Sequence, residues 1–223
     1  IYHNKWKPTE ALPGGIGIGF QLRKKNKGGK WNDYDKRVLR CVAFLGIERV
    51  VPPAERSVYK SYRYSFSSSA KAGWEERVCK SVSRVLGVSY DDFEIKSYGK
   101  YRLPLVKRKE GRYSGFNMGA GEKALFEVFA TILASPDGAL FLIDELELGL
   151  HESAQKRFVK ELGGLCLEKK IQIICTTHSP VILASLPPEG RFLTQSGKVT
   201  QVLKGVSPAY AAGRLGEINS GEL

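Results

Sequence analysis

Ala139-Leu140-Phe141-Leu142-Ile143-Asp144-Glu145 is the stretch that decides the fold of this chain. Five apolar residues in a row suit a strand buried on both faces, and such strands belong to parallel sheets covered by helices. Two acids follow at once. A second apolar run, Ile171-Gln172-Ile173-Ile174-Cys175, leads into Thr176-Thr177-His178. The two strands therefore deliver an Asp-Glu pair and a histidine to one sheet edge, where an open α/β sheet keeps its ligands. Upstream, Met118-Gly119-Ala120-Gly121-Glu122 opens a stretch of helical periodicity.

Working outward, the pattern alternates strand and helix. A helix is predicted over 120–134, with Ala124, Leu125, Val128, Phe129, Ile132 and Leu133 on its buried side. Pro136-Asp137-Gly138 turns into the acid-tipped strand. Helices over 153–167 and from Pro180 to Leu186 flank the second strand, and 191–194 with 198–203 read as a closing hairpin. Such alternation predicts a parallel sheet with flanking helices. Toward the N-terminus, 73–87 is amphipathic, with Trp74, Val78 and Val82 on one face and Gly87 as cap. Phe93–Tyr98 and Tyr101–Val106 predict a hairpin around Gly99-Lys100. Residues 16–22 and 38–45 read as two antiparallel strands joined by a basic turn over 23–30. The tail, 207–223, is too polar and glycine-containing to end a core.

Each motif has a physical job if the ligand is a magnesium-bound nucleotide. Asp144 at a strand end suits Mg²⁺, which prefers a carboxylate and keeps its waters. Glu145 suits a base that orients and deprotonates water. His178 suits a hydrogen-bond donor to a terminal phosphate. Gly119 and Gly121 let backbone N–H groups approach a phosphate at a helix start. Taken singly, each has a bland alternative: a buried strand meeting solvent, a structural histidine, a glycine turn. The ordered set is what points to a nucleotide, with Asp144 lying 22 residues after Glu122 and His178 lying 33 after Glu145.

Charge is uneven. Residues 1–113 hold 25 Lys+Arg against 11 Asp+Glu, whereas 114–223 hold 10 against 12. The basic leading part points to a polyanionic partner. Arg56, Tyr59, Lys60, Tyr62, Arg63 and Tyr64 form one basic-aromatic run. Lys96, Tyr98, Lys100, Tyr101, Arg102 and Lys107–Lys109 form another. Such mixing suits phosphate contacts with base stacking, and equally suits the solvated outer face of a hairpin. No apolar run approaches the length of a membrane span. The four cysteines have no Cys-x-x-Cys spacing and predict neither a metal cage nor a disulfide framework. A reducing cytoplasm is the expected setting.

At these residues the chain resembles the ABC-type ATPase heads of the SMC, RecF and OLD group. Met118-Gly119-Ala120-Gly121-Glu122 is similar to their signature motif, and Ala139–Glu145 to Walker B with its catalytic glutamate. Leu148-Gly149-Leu150-His151 resembles the D-loop, and Cys175-Thr176-Thr177-His178-Ser179 the switch-histidine loop. The phrasing of Gly46–Pro53 and Tyr113–Asn117 is similar to the ATPase subunits of Septu-type anti-phage systems, including those that accompany retrons. The resemblance implies an α/β P-loop NTPase fold of ABC-ATPase type, present in part, with an antiparallel accessory sheet and a helical arm. It implies the remainder of a nucleotide-binding lobe over 1–53, an arm over 54–112, a catalytic lobe over 113–205, and a linker over 206–223.

The same resemblance implies cofactors, roles and partners. ATP and Mg²⁺ would bind, with Asp144 at the metal, Glu145 as general base and His178 on the γ-phosphate. Met118, Gly119, Ala120, Gly121 and Glu122 would reach the nucleotide of a second head in a head-to-head dimer, with His151 at the seam. It further implies a nuclease or toxin partner in anti-phage defence, with nucleic acid as a possible ligand of 1–113. A nucleotide-gated scaffold with little hydrolysis is the alternative. Two departures stand out. Gly119 replaces the usual Ser, and no Gly-x-x-x-x-Gly-Lys-Ser/Thr occurs anywhere in the chain. The sequence therefore reads as a piece of a longer protein that begins after a phosphate-loop strand and helix.

Overall fold

The computed structural model describes residues 2–3, 17–18, 40–52, 55, 64–68, 70–99, 101–196 and 200–220. The chain divides into two compact units, residues 1–41 and 42–223. In the first, β1 (Tyr2–His3) pairs antiparallel with β2 (Gly17–Ile18). The basic turn over 23–30 lies outside the described residues, as does the 56–63 run.

The second unit begins with β3 (Val42–Leu45), a 3-10 turn over Ile47–Val50, β4 (Ser67–Ser68) and α1 (Glu75–Leu86). Next come β5 (Asp92–Tyr98), β6 (Tyr101–Arg108), β7 (Gly111–Ser114) and α2 (Ala120–Ala134). Then follow β8 (Leu140–Ile143), α3 (Glu152–Lys169), β9 (Gln172–Cys175) and α4 (Pro180–Ser185). The unit closes with β10 (Phe192–Gln195), β11 (Gln201–Lys204) and α5 (Pro208–Ser220).

β3, β8 and β9 form a parallel sheet in that order, with Leu45, Ile143 and Cys175 in register at its C-terminal edge. Phe141 and Ile143 point into one hydrophobic core. They share it with Val78, Val82 and Val85 of α1, Phe126, Phe129 and Ile132 of α2, and Phe158 and Leu162 of α3. Burying each such phenylalanine stabilises the fold by roughly 1.5–3 kcal/mol. The alternate residues face away from this core. Phe44 is 68% exposed and Ile174 63%, so among the described residues the other sheet face is apolar yet uncovered. Parallel sheets are normally covered on both faces. β9 has β8 on one side and no strand on the other among the described residues.

The structure bears on three expectations. Residues 42–45 pair in parallel with β8, while of the expected hairpin partner 16–22 only Gly17–Ile18 lie within the described residues. The run Val-Ala-Phe-Leu has no polar face, which suits a parallel-sheet strand better than a hairpin. The segment 54–112, expected as a helical and hairpin arm, holds both a helix and a hairpin. Its helix α1 is a core layer, with Val78, Val82 and Val85 fully buried, and β4 to β7 form a four-stranded antiparallel sheet. The accessory antiparallel sheet thus lies over 67–114. Finally, 206–223 is not a linker. Pro208–Ser220 is a helix that packs on α4, with Ala211 1% exposed. Ser207 Oγ accepts from Tyr210 N at 3.1 Å and Pro208 opens the helix, a start signal that the polar composition masked.

Other local signals hold. Tyr98 faces Tyr101 across the tight turn, where Gly99 has φ +54. Gly87 caps α1 in the left-handed conformation at φ +72. The closing hairpin forms between β10 and β11.

Candidate active site

The acid pair sits at the C-terminal edge of the parallel sheet, where the chain must leave β8 and turn. Asp144 N still donates to Leu45 O at 3.0 Å, so the first acid continues the ladder. Glu145 breaks from it with φ +46, a left-handed conformation costly for a side chain, of order 1–3 kcal/mol. Hydrogen bonds on both sides of its peptide hold it there. Glu145 N donates to Thr176 Oγ1 at 2.8 Å, and Thr176 Oγ1 donates to Asp144 Oδ1 at 2.6 Å. Glu145 O accepts from Leu148 N at 3.0 Å and from the Arg49 guanidinium at 2.5 Å. Among the described residues, Asp144 Oδ2, the Glu145 carboxylate and the His178 imidazole make no hydrogen bond or ion pair.

The histidine loop is tied to the same turn through Glu147. Its carboxylate accepts from Thr177 Oγ1 and from His178 N, both at 2.6 Å. The His178 side chain remains exposed. Ser179 caps α4 through Ile182 N and donates to Gln155 Oε1 at 2.6 Å; Gln155 Nε2 donates to Leu150 O at 2.8 Å. This relay joins the histidine loop to the turn 148–151. His151 is exposed at the start of α3.

The glycine-rich segment lies against that turn. A Cβ on Gly121 would stand 2.0 Å from Gly149 O, so two backbones meet here with no room for a side chain. Gly119, by contrast, is exposed and would meet nothing within 4 Å. The five residues thus have different surroundings. Met118 is buried in the core, so its side chain packs and does not face a ligand. Glu122 accepts from Tyr90 OH at 2.7 Å and Tyr113 OH at 2.5 Å, which engages its carboxylate within the chain. Burial and the Glu122 contact push the Tyr90 phenol well above its ordinary pKa. Gly119 is the residue left exposed at the helix start, with Ala120 half-buried beside it.

Sequence reasoning missed five residues here: Arg49, Lys123, Glu147, Gln155 and Thr176. Lys123 gave a readable signal, being a cation in a helix buried nearly all round, which must find partners. Its Nζ donates to Arg49 O at 2.7 Å and to Glu127 at 3.3 Å. Arg49 and Glu147 gave none, since their partners are 96 and 30–31 residues away in sequence.

A magnesium ion fits this donor set in one way. No cluster of three or more His, Cys, Asp or Glu side chains exists among the described residues. A single carboxylate with an unpaired oxygen, completed by waters and phosphates, is how magnesium is commonly held. The basic stretch of β5 to β7 is partly neutralised: Arg112 lies 3.5 Å from Glu94, Lys71 2.5 Å from Asp92, and Arg108 3.2 Å from Glu110. No described helix is long and apolar enough to cross a membrane.

An acid turn, a histidine loop and a glycine-opened helix thus gather beside one sheet edge. Residues 88–184 match the family described as "AAA domain, putative AbiEii toxin, Type IV TA system". The chain is 31% identical over 126 residues to the retron Ec83 probable ATPase of Escherichia coli, a match over 50% of this chain and 23% of that protein. The chain therefore spans about a quarter of the curated relative it matches. Among solved structures, an SMC head domain from Thermotoga maritima is 12% identical with TM-score 0.43, over 72% of this chain and 52% of that one. A Smc head from Pyrococcus furiosus, bound to the C-terminal domain of ScpA, is 15% identical with TM-score 0.41, over 65% and 37%. These two likenesses are distant.

Proposed function

We propose that this chain is the catalytic half of an ATP-hydrolysing head that engages a second head around ATP. In it, Asp144 holds magnesium through its unpaired oxygen, Glu145 activates water, and His178 contacts the terminal phosphate. The observation that carries this reading is the state of those three side chains. The backbone that presents them is fixed by hydrogen bonds, while the atoms that would meet a ligand have no protein partner among the described residues. The open edge of β9 and the uncovered apolar face at Phe44 and Ile174 support completion of the sheet by a further strand and helix carrying a phosphate loop. Gly119 and His151, exposed on neighbouring turns, would face the second head, with half-buried Ala120 beside them. The retron relative supports a role beside a nuclease or toxin in anti-phage defence, in the cytoplasm.

The test is Glu145→Gln in the full-length protein. The amide keeps the shape and cannot take a proton from water. Turnover should fall by about 10²-fold or more while ATP binding persists. Hydrolysis within threefold of wild type would remove Glu145 as the base. Gly119, which lacks the usual hydroxyl, favours a second reading in which ATP gates a scaffold for nucleic acid or a nuclease with little hydrolysis. A full-length wild type that binds ATP with no turnover, with or without DNA, would select it.

A further inference from the structure

Arg49 is a guanidinium that is 3% exposed and makes no ion pair within 4 Å among the described residues. Its hydrogen bonds go to carbonyls. One arm donates to Gly46 O at 2.9 Å and Leu45 O at 3.4 Å, which anchors it to the end of β3. The other crosses to Glu145 O at 2.5 Å. Four carboxylates surround it at longer range: Glu127, Asp144, Glu145 and Glu147. Its own carbonyl accepts from Lys123 Nζ, one residue beyond the glycine-rich segment 118–122.

A buried cation is costly unless it satisfies something specific. What this one satisfies is the carbonyl of a residue held at φ +46. Only a planar fork reaches the strand end and that carbonyl together; an ammonium is a point donor. We propose that Arg49 is a positioning residue for hydrolysis. By gripping the Glu145 carbonyl and offsetting the crowd of acids, it keeps the Glu145 side chain aimed at the water it activates. Through Lys123, the helix that opens with the glycine-rich segment is tied to the same grip. This rests on the ATP-hydrolysis reading above and assigns Arg49 no contact with nucleotide.

The experiment uses the full-length protein as wild type, Arg49→Met and Arg49→Lys. Two readouts are taken: amide hydrogen exchange at Glu145 and Leu148, and steady-state ATP hydrolysis with magnesium. For Arg49→Met, exchange at these two amides should quicken tenfold or more while α2 and α3 keep their protection. The kcat should fall about 10²-fold, the scale of an ångström of misplacement, with KM for ATP within threefold. Arg49→Lys should recover part of kcat, since charge returns without the fork. If Arg49→Met does not fold, Arg49→Lys carries the test, with a kcat loss of fivefold or more expected. A folded Arg49→Met with normal kcat overturns the proposal, as does a loss confined to KM. A wild type without turnover removes the hydrolysis reading and Arg49's part in it. The exchange result would then report separately on whether Arg49 holds the turn.

Discussion

Replacing Gly121 with alanine is the sharpest test of how the site is built. On the resemblance alone, Gly121 would matter only to a second head, and a single head would tolerate a side chain there. The structure contradicts this. The added Cβ would lie 2.0 Å from Gly149 O, 2.8 Å from Gly149 C and 3.2 Å from Leu150 Cδ2. Ordinary carbon–oxygen contact needs more than 3 Å, so the turn must retreat by about 1 Å. Gly149 has little freedom to do so, since it holds φ +74 against the Gly121 backbone. Overpacking of this kind costs about 1–3 kcal/mol and sometimes more. The helix-propensity gain from Gly to Ala returns at most about 1 kcal/mol, and less this near the helix start.

The expected net loss is therefore about 2 kcal/mol. In a chain of this size that lowers Tm by about 4–8 °C. Urea denaturation of the 223-residue chain, read by far-UV circular dichroism, should show the midpoint move down with an unchanged slope. A midpoint and Tm equal to wild type would refute the close approach of Gly121 and Gly149. Loss of ATP-driven head engagement by a Gly121 variant is consequently not evidence for a role in trans.

Gly119 supplies the cleaner probe: Gly119→Asp has open space and a favourable helix-cap position, so stability should stay within about 0.5 kcal/mol of wild type. In the full-length protein its charge should abolish ATP-dependent association measured by light scattering, and unchanged association would remove this helix start from the interface. The 223-residue chain alone, having no phosphate-loop motif, should show no heat of ATP binding by titration calorimetry; micromolar affinity would mean the site is misplaced. Burial, with the charge of Glu147 behind it, pushes the Cys175 thiol up to about 11, so at pH 8 it should alkylate far more slowly than exposed Cys41; equal rates by mass spectrometry would contradict its burial.

Periodicity made the C-terminal half of the fold legible. The helix 120–134, strands 140–143 and 172–175 and the closing hairpin are local patterns, and each appears in the structure with small changes of boundary. Partner choice was not legible. The lack of a polar face in Val42–Leu45 suits a parallel sheet, but nothing local named β8 as the partner, because the crossover spans nearly a hundred residues. Met118 shows the limit of motif phrasing: it belongs to the glycine-rich segment in sequence and to the core in space. Glu122 shows it too, since Tyr90 and Tyr113 reach it from the loop between α1 and β5 and from β7. The side chains that bear the proposed chemistry were readable because strand ends present them. Those that hold the turn, Arg49 and Glu147, act through contacts no spacing encodes.

That division has a physical reason. A site that stabilises charge developing in a transition state needs donors and acceptors fixed beforehand, so that none must reorganise during reaction. The turn at 144–148 meets that demand from three sides: Thr176 from β9's end, Arg49 from β3's end, and the Leu148 amide from within. Glu147 extends it to the His178 backbone. The left-handed Glu145 is the strained element, and all three holds converge on its peptide groups, leaving its carboxylate alone. Were the turn merely a way out of β8, a glycine at position 145 would relieve the strain and the buried Arg49 would be unnecessary. Retaining a glutamate there, with a desolvated cation to hold it, is the arrangement expected when the direction of that carboxylate matters more than the stability of the turn.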